Sequence, residues 1–263
     1  MAYKHILYEE RKEKCIGILT LNRPGKRNAL SREFEEEIIG CLQDAARRWE
    51  VKVIVLRAAG DVFCSGHDRS EILNAPASSI RRLFQTSVNM MMTIRQLPQP
   101  VIAQVHGIAM AGGCHLAAAC DLVVAAERKA KLGMTGIILG YNCSTPTVAV
   151  SRCVGQKKCM EMLMTGKLYS AQEAMTMGLV NRVVPDEKLE EETMNWASEI
   201  ATRSRPIIAV SKQVFYAQSE MTEWQAYQYA KEMMALNAIL PDAIEGFKAN
   251  IEGREPKFPE EMG

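Results

Sequence analysis

Residues 101–126 (VIAQVHGIAMAGGCHLAAACDLVVAA) constrain the fold more than any other stretch. The apolar run 101–105 has the composition of a buried strand. The pair Gly112-Gly113 follows, then a short helix-forming run, then a second strand-like run at 122–126. Strand, glycine turn, helix and strand in that order belong to an α/β protein with parallel pairing. The glycines let the backbone turn at positive φ and let a ligand approach bare N–H groups at a helix N-terminus. Such a place is suited to holding a developing oxyanion. His115, the last polar residue of the turn, is placed to face that ligand.

The same alternation extends along the chain. Residues 16–21 and 51–56 read as strands, with a turn-rich basic loop at 22–28 between them. Ser31 caps a helix whose first turns carry Glu33, Glu35, Glu36 and Glu37 and whose end carries Arg47 and Arg48, as the helix dipole favours. Residues 58–68 form a loop, and 78–97 an amphipathic helix stopped by Pro98 and Pro100. A shorter strand is expected at 130–132. Ser170 and Glu173 form a capping box. Gly178 closes that helix before a last strand at 179–184.

Beyond Pro185 the pattern is helical at 186–203, 206–218, 222–240 and 242–251. The first of these helices is expected on the core and the other three in an appendage. That division gives a core of residues 1–204 and a C-terminal helical region of 205–263. Trp224, Tyr227, Tyr229, Met233 and Met234 fit either an oligomer contact or packing within the appendage.

Composition excludes several classes of function. With 32 basic and 31 acidic residues the net charge is +1, which gives no basis for nucleic-acid or membrane-surface binding. No apolar run approaches the roughly 20 residues of a membrane span. The start, MAYKHIL, has neither a signal-peptide core nor the Arg- and Ser-rich character of a transit peptide. The expected setting is cytoplasmic, or mitochondrial if a transit peptide has been removed. The eight cysteines contain no C-x-x-C pair, so free buried thiols are expected and no metal site.

Six segments occur in an order that resembles the crotonase superfamily, the enoyl-CoA hydratase/isomerase proteins. They are LNRPGKRNAL (21–30), VFCSGHD (62–68), AGGCHL with Cys120-Asp121, TGKLYSAQEA (165–174), GLVNRVVP (178–185) and the stretch from Glu245 to Phe258. The resemblance implies an α/β spiral of repeated ββα units followed by a C-terminal helical trimerisation region. It implies homotrimers or hexamers, acyl-CoA chemistry of the kind used in fatty acid metabolism, and a coenzyme A thioester as ligand with no tightly bound cofactor. It places the two oxyanion-hole N–H groups on His67 and Gly112. It places the coenzyme A phosphates near Lys26 and Arg27, where a cation suits a multiply charged ligand. Ser65, Gly66, Asp68, Arg69, Gly113 and Tyr141 fall around the same ligand, and Lys248 is a candidate for reaching the nucleotide of a neighbouring subunit.

The chain departs from the family at the acid/base positions. A hydratase of the family carries two glutamates where this chain has His115 and Gly136. Water addition needs an acid/base pair, so standard hydratase chemistry is not expected. The isomerase glutamate has its approximate counterpart at Tyr141 or Asn142. Three readings follow. One is a lyase or isomerase with a non-standard site, in which His115 moves the proton. The second is a non-catalytic acyl-CoA-binding homologue, and the third is a scaffold. Cys143 is either an activated thiol beside a histidine or a small apolar filler.

Overall fold

Crossovers in the chain build one main sheet and a smaller second one. The computed structural model describes residues 3–258, so residues 259–263 of the C-terminal region lie outside the described residues. Strand β1 (Ile6–Arg11) pairs antiparallel with β2 (Ile16–Leu21). Helix α1 (Arg32–Ala46) leads to β3 (Val53–Ala58), and α2 (Ala77–Gln96) leads to β4 (Val101–Val105). Then come β5 (Ile108–Met110), α3 (Gly112–Ala119), β6 (Leu122–Ala126) and β7 (Lys131–Gly133). Helices α4 (Ser144–Cys153) and α5 (Gln156–Thr165) precede β8 (Tyr169–Ser170), α6 (Ala171–Met177) and β9 (Arg182–Val184). The main sheet runs β1-β2-β3-β4-β6-β9 and is parallel from β2 onward. A second sheet, β5-β7-β8, stands beside it.

Local sequence explains the elements. Every residue of β2 and β4 is buried, as expected for strands covered on both faces. Ser31 Oγ accepts the Phe34 N–H at the start of α1. The capping box of Ser170 and Glu173 is present at α6. The strand expected at 51–56 sits two residues later. The one expected at 179–184 shortens to β9, because Leu179 and Val180 close the turn on Ala174.

Four C-terminal helices follow. Helix α7 (Leu189–Ala201) packs on β3, β4 and β6. The expected boundary falls at the N-cap of α8 (Arg205–Gln218), where Ser204 Oγ accepts the Ile207 N–H. Helix α8 is nevertheless fastened to the sheet. Lys212 Nζ donates to Asp121 Oδ2 at 2.6 Å and to the carbonyls of Ile94 and Gln99 at 2.8 and 2.9 Å. Asp121 also accepts the Val101 N–H and the Tyr216 hydroxyl. The motif Cys120-Asp121 thus joins two strands and a distant helix.

Helix α9 (Glu223–Ala238) buries none of its residues, and α10 (Pro241–Glu252) buries only Ala249. Trp224, Tyr227 and Met234 are exposed, as are Ile244, Phe247 and Ile251. Tyr229 and Met233 are half-buried. All eight cysteines are free. Among the described residues, no helix is long and apolar enough to cross a membrane.

Candidate functional site

Two chain segments meet where β5 turns into α3. The loop after β3 is drawn onto β5, because Cys64 N–H donates to the Ile108 carbonyl and the Cys64 carbonyl accepts the Met110 N–H. On its other side this loop is held by Leu30, whose N–H donates to Gly66 and whose carbonyl accepts from Asp68, both at 2.8 Å. Successive backbone groups in an extended segment point to opposite sides. The His67 N–H therefore points away from Leu30.

Glycine is needed for this approach. Gly66 has φ +89°, and a Cβ there would lie 3.1 Å from the Gly112 nitrogen. A Cβ on Gly112 would lie 3.2 Å from Gly66 Cα and 3.3 Å from the His67 ring. Ala111 makes the turn into α3 at φ 49°, ψ −112°, an uncommon conformation for a residue with a side chain. Gly112 is the first residue of α3, where N–H groups have no partner within the helix. Among the described residues, neither the His67 nor the Gly112 N–H donates a hydrogen bond.

Both residues line a cavity of about 480 Å³. Ser65, Arg69 and Tyr141 share its wall with Gly136, Asn142, Cys143 and Ser144, and apolar surface comes from Phe84 and Met110 among others. Among the described residues, no carboxylate lines it. Gly66, Asp68 and Gly113 are not among its lining residues, although each is next in sequence to one. Asp68 is paired with Arg23 at 3.3 Å and caps the next turn through the Ser70 N–H. Lys26 and Arg27 are exposed on a tight turn, and the Arg27 carbonyl accepts the Ser65 N–H, which ties this turn to the cavity loop. Lys248 is exposed on α10.

His115 does not line the cavity. All eight residues of α3 are buried, so each face of this helix meets protein, and position 115 faces the interior. His115 is 5% exposed, and its Nδ1 has no partner among the described residues. Burial pushes its pKa down to about 4, with His67 and Arg95 adding to the drop. Burial raises the pKa of the Cys143 thiol, although its sulfur accepts the Gly136 N–H at 3.3 Å.

Sequence reasoning missed two residues behind His67. Its Nε2 lies 2.8 Å from Ser87 Oγ, which in turn bonds Glu35 Oε1. The ring packs edge-on against Phe84. In the sequence Glu35 reads as one of the dipole-favoured acids in the first turns of α1, but it is fully buried. Spacing held the signal: Glu35, Ile38 and Leu42 are three and seven residues apart and share one helical face. Ser87 likewise sits among Leu83, Met90 and Met91 on the buried face of α2. Burial, helped by Glu71 and Glu36, pushes the Glu35 carboxyl up to about 8 against the Ser87 hydrogen bond. Burial pushes His67 down to about 4.

Gly136 has no room for a side chain. A Cβ would stand 2.5 Å from the Tyr141 carbonyl oxygen and 2.8 Å from Cys143 Sγ. Gly136→Glu is therefore expected to destabilise by about 1–3 kcal/mol and to confer no hydratase activity, even together with His115→Glu. Chemical denaturation and a crotonyl-CoA hydration assay check both outcomes.

The loop, the glycine turn and the two-sheet spiral define the class. The chain belongs to the enoyl-CoA hydratase/isomerase family, whose model matches residues 11–261. It is similar to enoyl-CoA hydratase domain-containing protein 3, mitochondrial, of Danio rerio, at 42% identity over 239 residues covering 90% of this chain and 82% of that protein. The Homo sapiens protein of the same name is 41% identical, with 92% and 80% covered. The fold matches a Mycobacterium smegmatis enoyl-CoA hydratase with a TM-score of 0.94 at 41% identity, covering 97% of this chain and 99% of that one. It matches human enoyl-CoA hydratase domain-containing protein 3 with a TM-score of 0.93 at 38% identity, covering 97% and 100%. The expected crotonase fold is the fold of this chain.

Proposed function

We propose that this protein binds the thioester of an acyl-coenzyme A and polarises its carbonyl between the N–H groups of His67 and Gly112. The observation that carries this reading is the pair of unengaged backbone donors on one cavity wall, held together by the Gly66–Gly112 contact. Rigid donors stabilise an enolate oxygen without reorganising, and each is worth about 3 kcal/mol in comparable sites. Ser65, Arg69 and Tyr141 line the acyl side. Lys26 and Arg27 offer charge to the coenzyme A phosphates, and Lys248, exposed on α10, is the candidate for reaching the nucleotide of a neighbouring copy. No tightly bound cofactor is part of this reading.

Water addition is not the proposed reaction, because positions 115 and 136 hold His115 and Gly136. His115, lying behind the wall, is assigned no proton step. The reaction class is enolate chemistry at the thioester α-carbon, such as isomerisation. The absence of any carboxylate among the described residues of the cavity wall favours one alternative, an acyl-CoA-binding homologue without turnover.

Calorimetric titration with butyryl-CoA and crotonyl-CoA, followed by product analysis, tests these readings. Binding with turnover is the expected result. Binding without any reaction selects the alternative, and no binding removes both. The exposed apolar residues of α9 and α10 support a homotrimer or a pair of trimers, which light scattering would weigh. The compartment given in the relatives' names supports a mitochondrial setting.

A further inference from the structure

We propose that Glu35, Ser87 and His67 form a proton relay that opens into the cavity at His67 Nδ1, making this imidazole the proton-transfer group of the site. The proposal rests on the acyl-CoA reading above. It fills the role left by the two missing carboxylates with a side chain the family pattern does not use.

Three observations carry it. First, the chain of contacts is continuous. His67 Nε2 is 2.8 Å from Ser87 Oγ, and Ser87 Oγ is bonded to Glu35 Oε1. His67 Nε2 and Glu35 Oε1 are 3.8 Å apart, so the hydroxyl bridges them directly. Second, the cavity end is open. His67 lines the cavity, and its Nδ1 has no hydrogen-bond partner among the described residues and is not sealed in the interior. The ring stands over Gly112, beside the proposed carbonyl site. Third, the buried end has a spare position. Glu35 is fully buried, yet its Oε2 has no partner among the described residues. An unsatisfied buried carboxyl oxygen is costly, and a glutamine would serve equally well for shape.

The hydroxyl couples the two ends. When Glu35 is ionised, Ser87 donates to it, and His67 Nε2–H donates to Ser87. Nδ1 then carries a lone pair toward the cavity. When Glu35 is protonated, the bonds reverse and Nδ1 carries the proton. In the forward step the α-carbon C–H bond breaks, and its electron pair enters the enolate held by the two N–H groups. The proton joins Nδ1, the Nε2 proton moves to Ser87, and the Ser87 proton moves to Glu35. The imidazole ends neutral, so the step never leaves a buried imidazolium. The negative charge passes from the carboxylate to the oxyanion. Running the step backward delivers a proton to the substrate.

The surrounding groups agree with this assignment. Glu36 on the same helix and Glu71 from the loop disfavour the charge on Glu35, and the Cys64 thiol lies near it. His115 lies near His67 and disfavours a charged pair of rings. The net proton therefore belongs on the carboxyl, which burial holds protonated up to about pH 8. Base activity is expected to rise about tenfold per pH unit below that value and to level off above it.

Histidine-labelled protein tests the relay by nitrogen NMR. His67 is expected to change from the Nδ1–H to the Nε2–H tautomer as pH rises through about 8. Glu35→Gln is expected to hold the Nδ1–H tautomer throughout. A tautomer that never changes in the wild-type protein overturns the relay, whatever the variants do. Deuterium exchange at the α-carbon of butyryl-CoA tests the chemistry. Ser87→Ala and Glu35→Gln are expected to slow it about 100-fold or more, while His115→Ala keeps it. Binding of butyryl-CoA by the wild-type protein without exchange overturns the proton-transfer role. Absence of binding overturns the acyl-CoA reading instead, and the tautomer measurement then decides the relay alone.

Discussion

Gly113→Ala is expected to abolish butyryl-CoA binding and to remove about 3 kcal/mol of stability or more. A Cβ at this position runs into the Cys64 carbonyl oxygen and stands 2.7 Å from its carbon and 2.8 Å from its Cβ. None of these is the tip of a flexible side chain. The same Cys64 carbonyl accepts the Met110 N–H at 3.0 Å, so moving it breaks the bond that joins the loop to β5. The extra methyl must therefore part the two segments that carry the His67 and Gly112 N–H groups. Urea unfolding measures the stability loss, and calorimetry measures the binding. A variant that unfolds and binds like the wild type would show that the Gly66–Gly112 contact does not depend on this close fit.

The second large effect is at the far end of the sheet. Lys212→Met is expected to cost about 3–5 kcal/mol, because it leaves the Asp121 carboxylate enclosed without its cation. Asp121 keeps the Val101 N–H and the Tyr216 hydroxyl, but the carbonyls of Ile94 and Gln99 lose their shared donor. Adding Asp121→Asn should recover part of the loss, since the unpaired charge is then gone. Denaturant titration of both variants and the double variant measures the coupling. A loss under about 1 kcal/mol would place the pair with ordinary surface ion pairs.

Local chemistry explains which features could be read from the chain. The glycine pair stands out because no other residue allows that approach of backbones, so Gly112 and the cavity loop were legible before any coordinates. Ser31, Gly178 and the box of Ser170 and Glu173 act within one turn and were equally legible. Features that depend on distant partners were not. Strand β1 carries Glu9, Glu10 and Arg11, whose charges hide the alternation of an edge strand. Helix α4 contains Thr145, Thr147, Val148 and Val150, which are weak helix formers, and its packing against α3 decides its form. Glu35 looked like a dipole-stabilising acid because four acids share that stretch, and only the packing of α2 over α1 encloses it. Lys212 and Asp121 are 91 positions apart, and nothing local announces their pairing.

His67 occupies both ends of the proposed chemistry. Its main chain offers a donor to the carbonyl oxygen, and its ring offers a nitrogen to the neighbouring carbon. The separation between these two atoms is set by covalent bonds and one rotamer. Breathing of the loop therefore carries both tools together and leaves their alignment intact. Catalytic groups on separate elements drift apart when the protein flexes. Here, misalignment of these two atoms would have to come from turning a single side chain, which Ser87 on one side and Phe84 on the other hold in place.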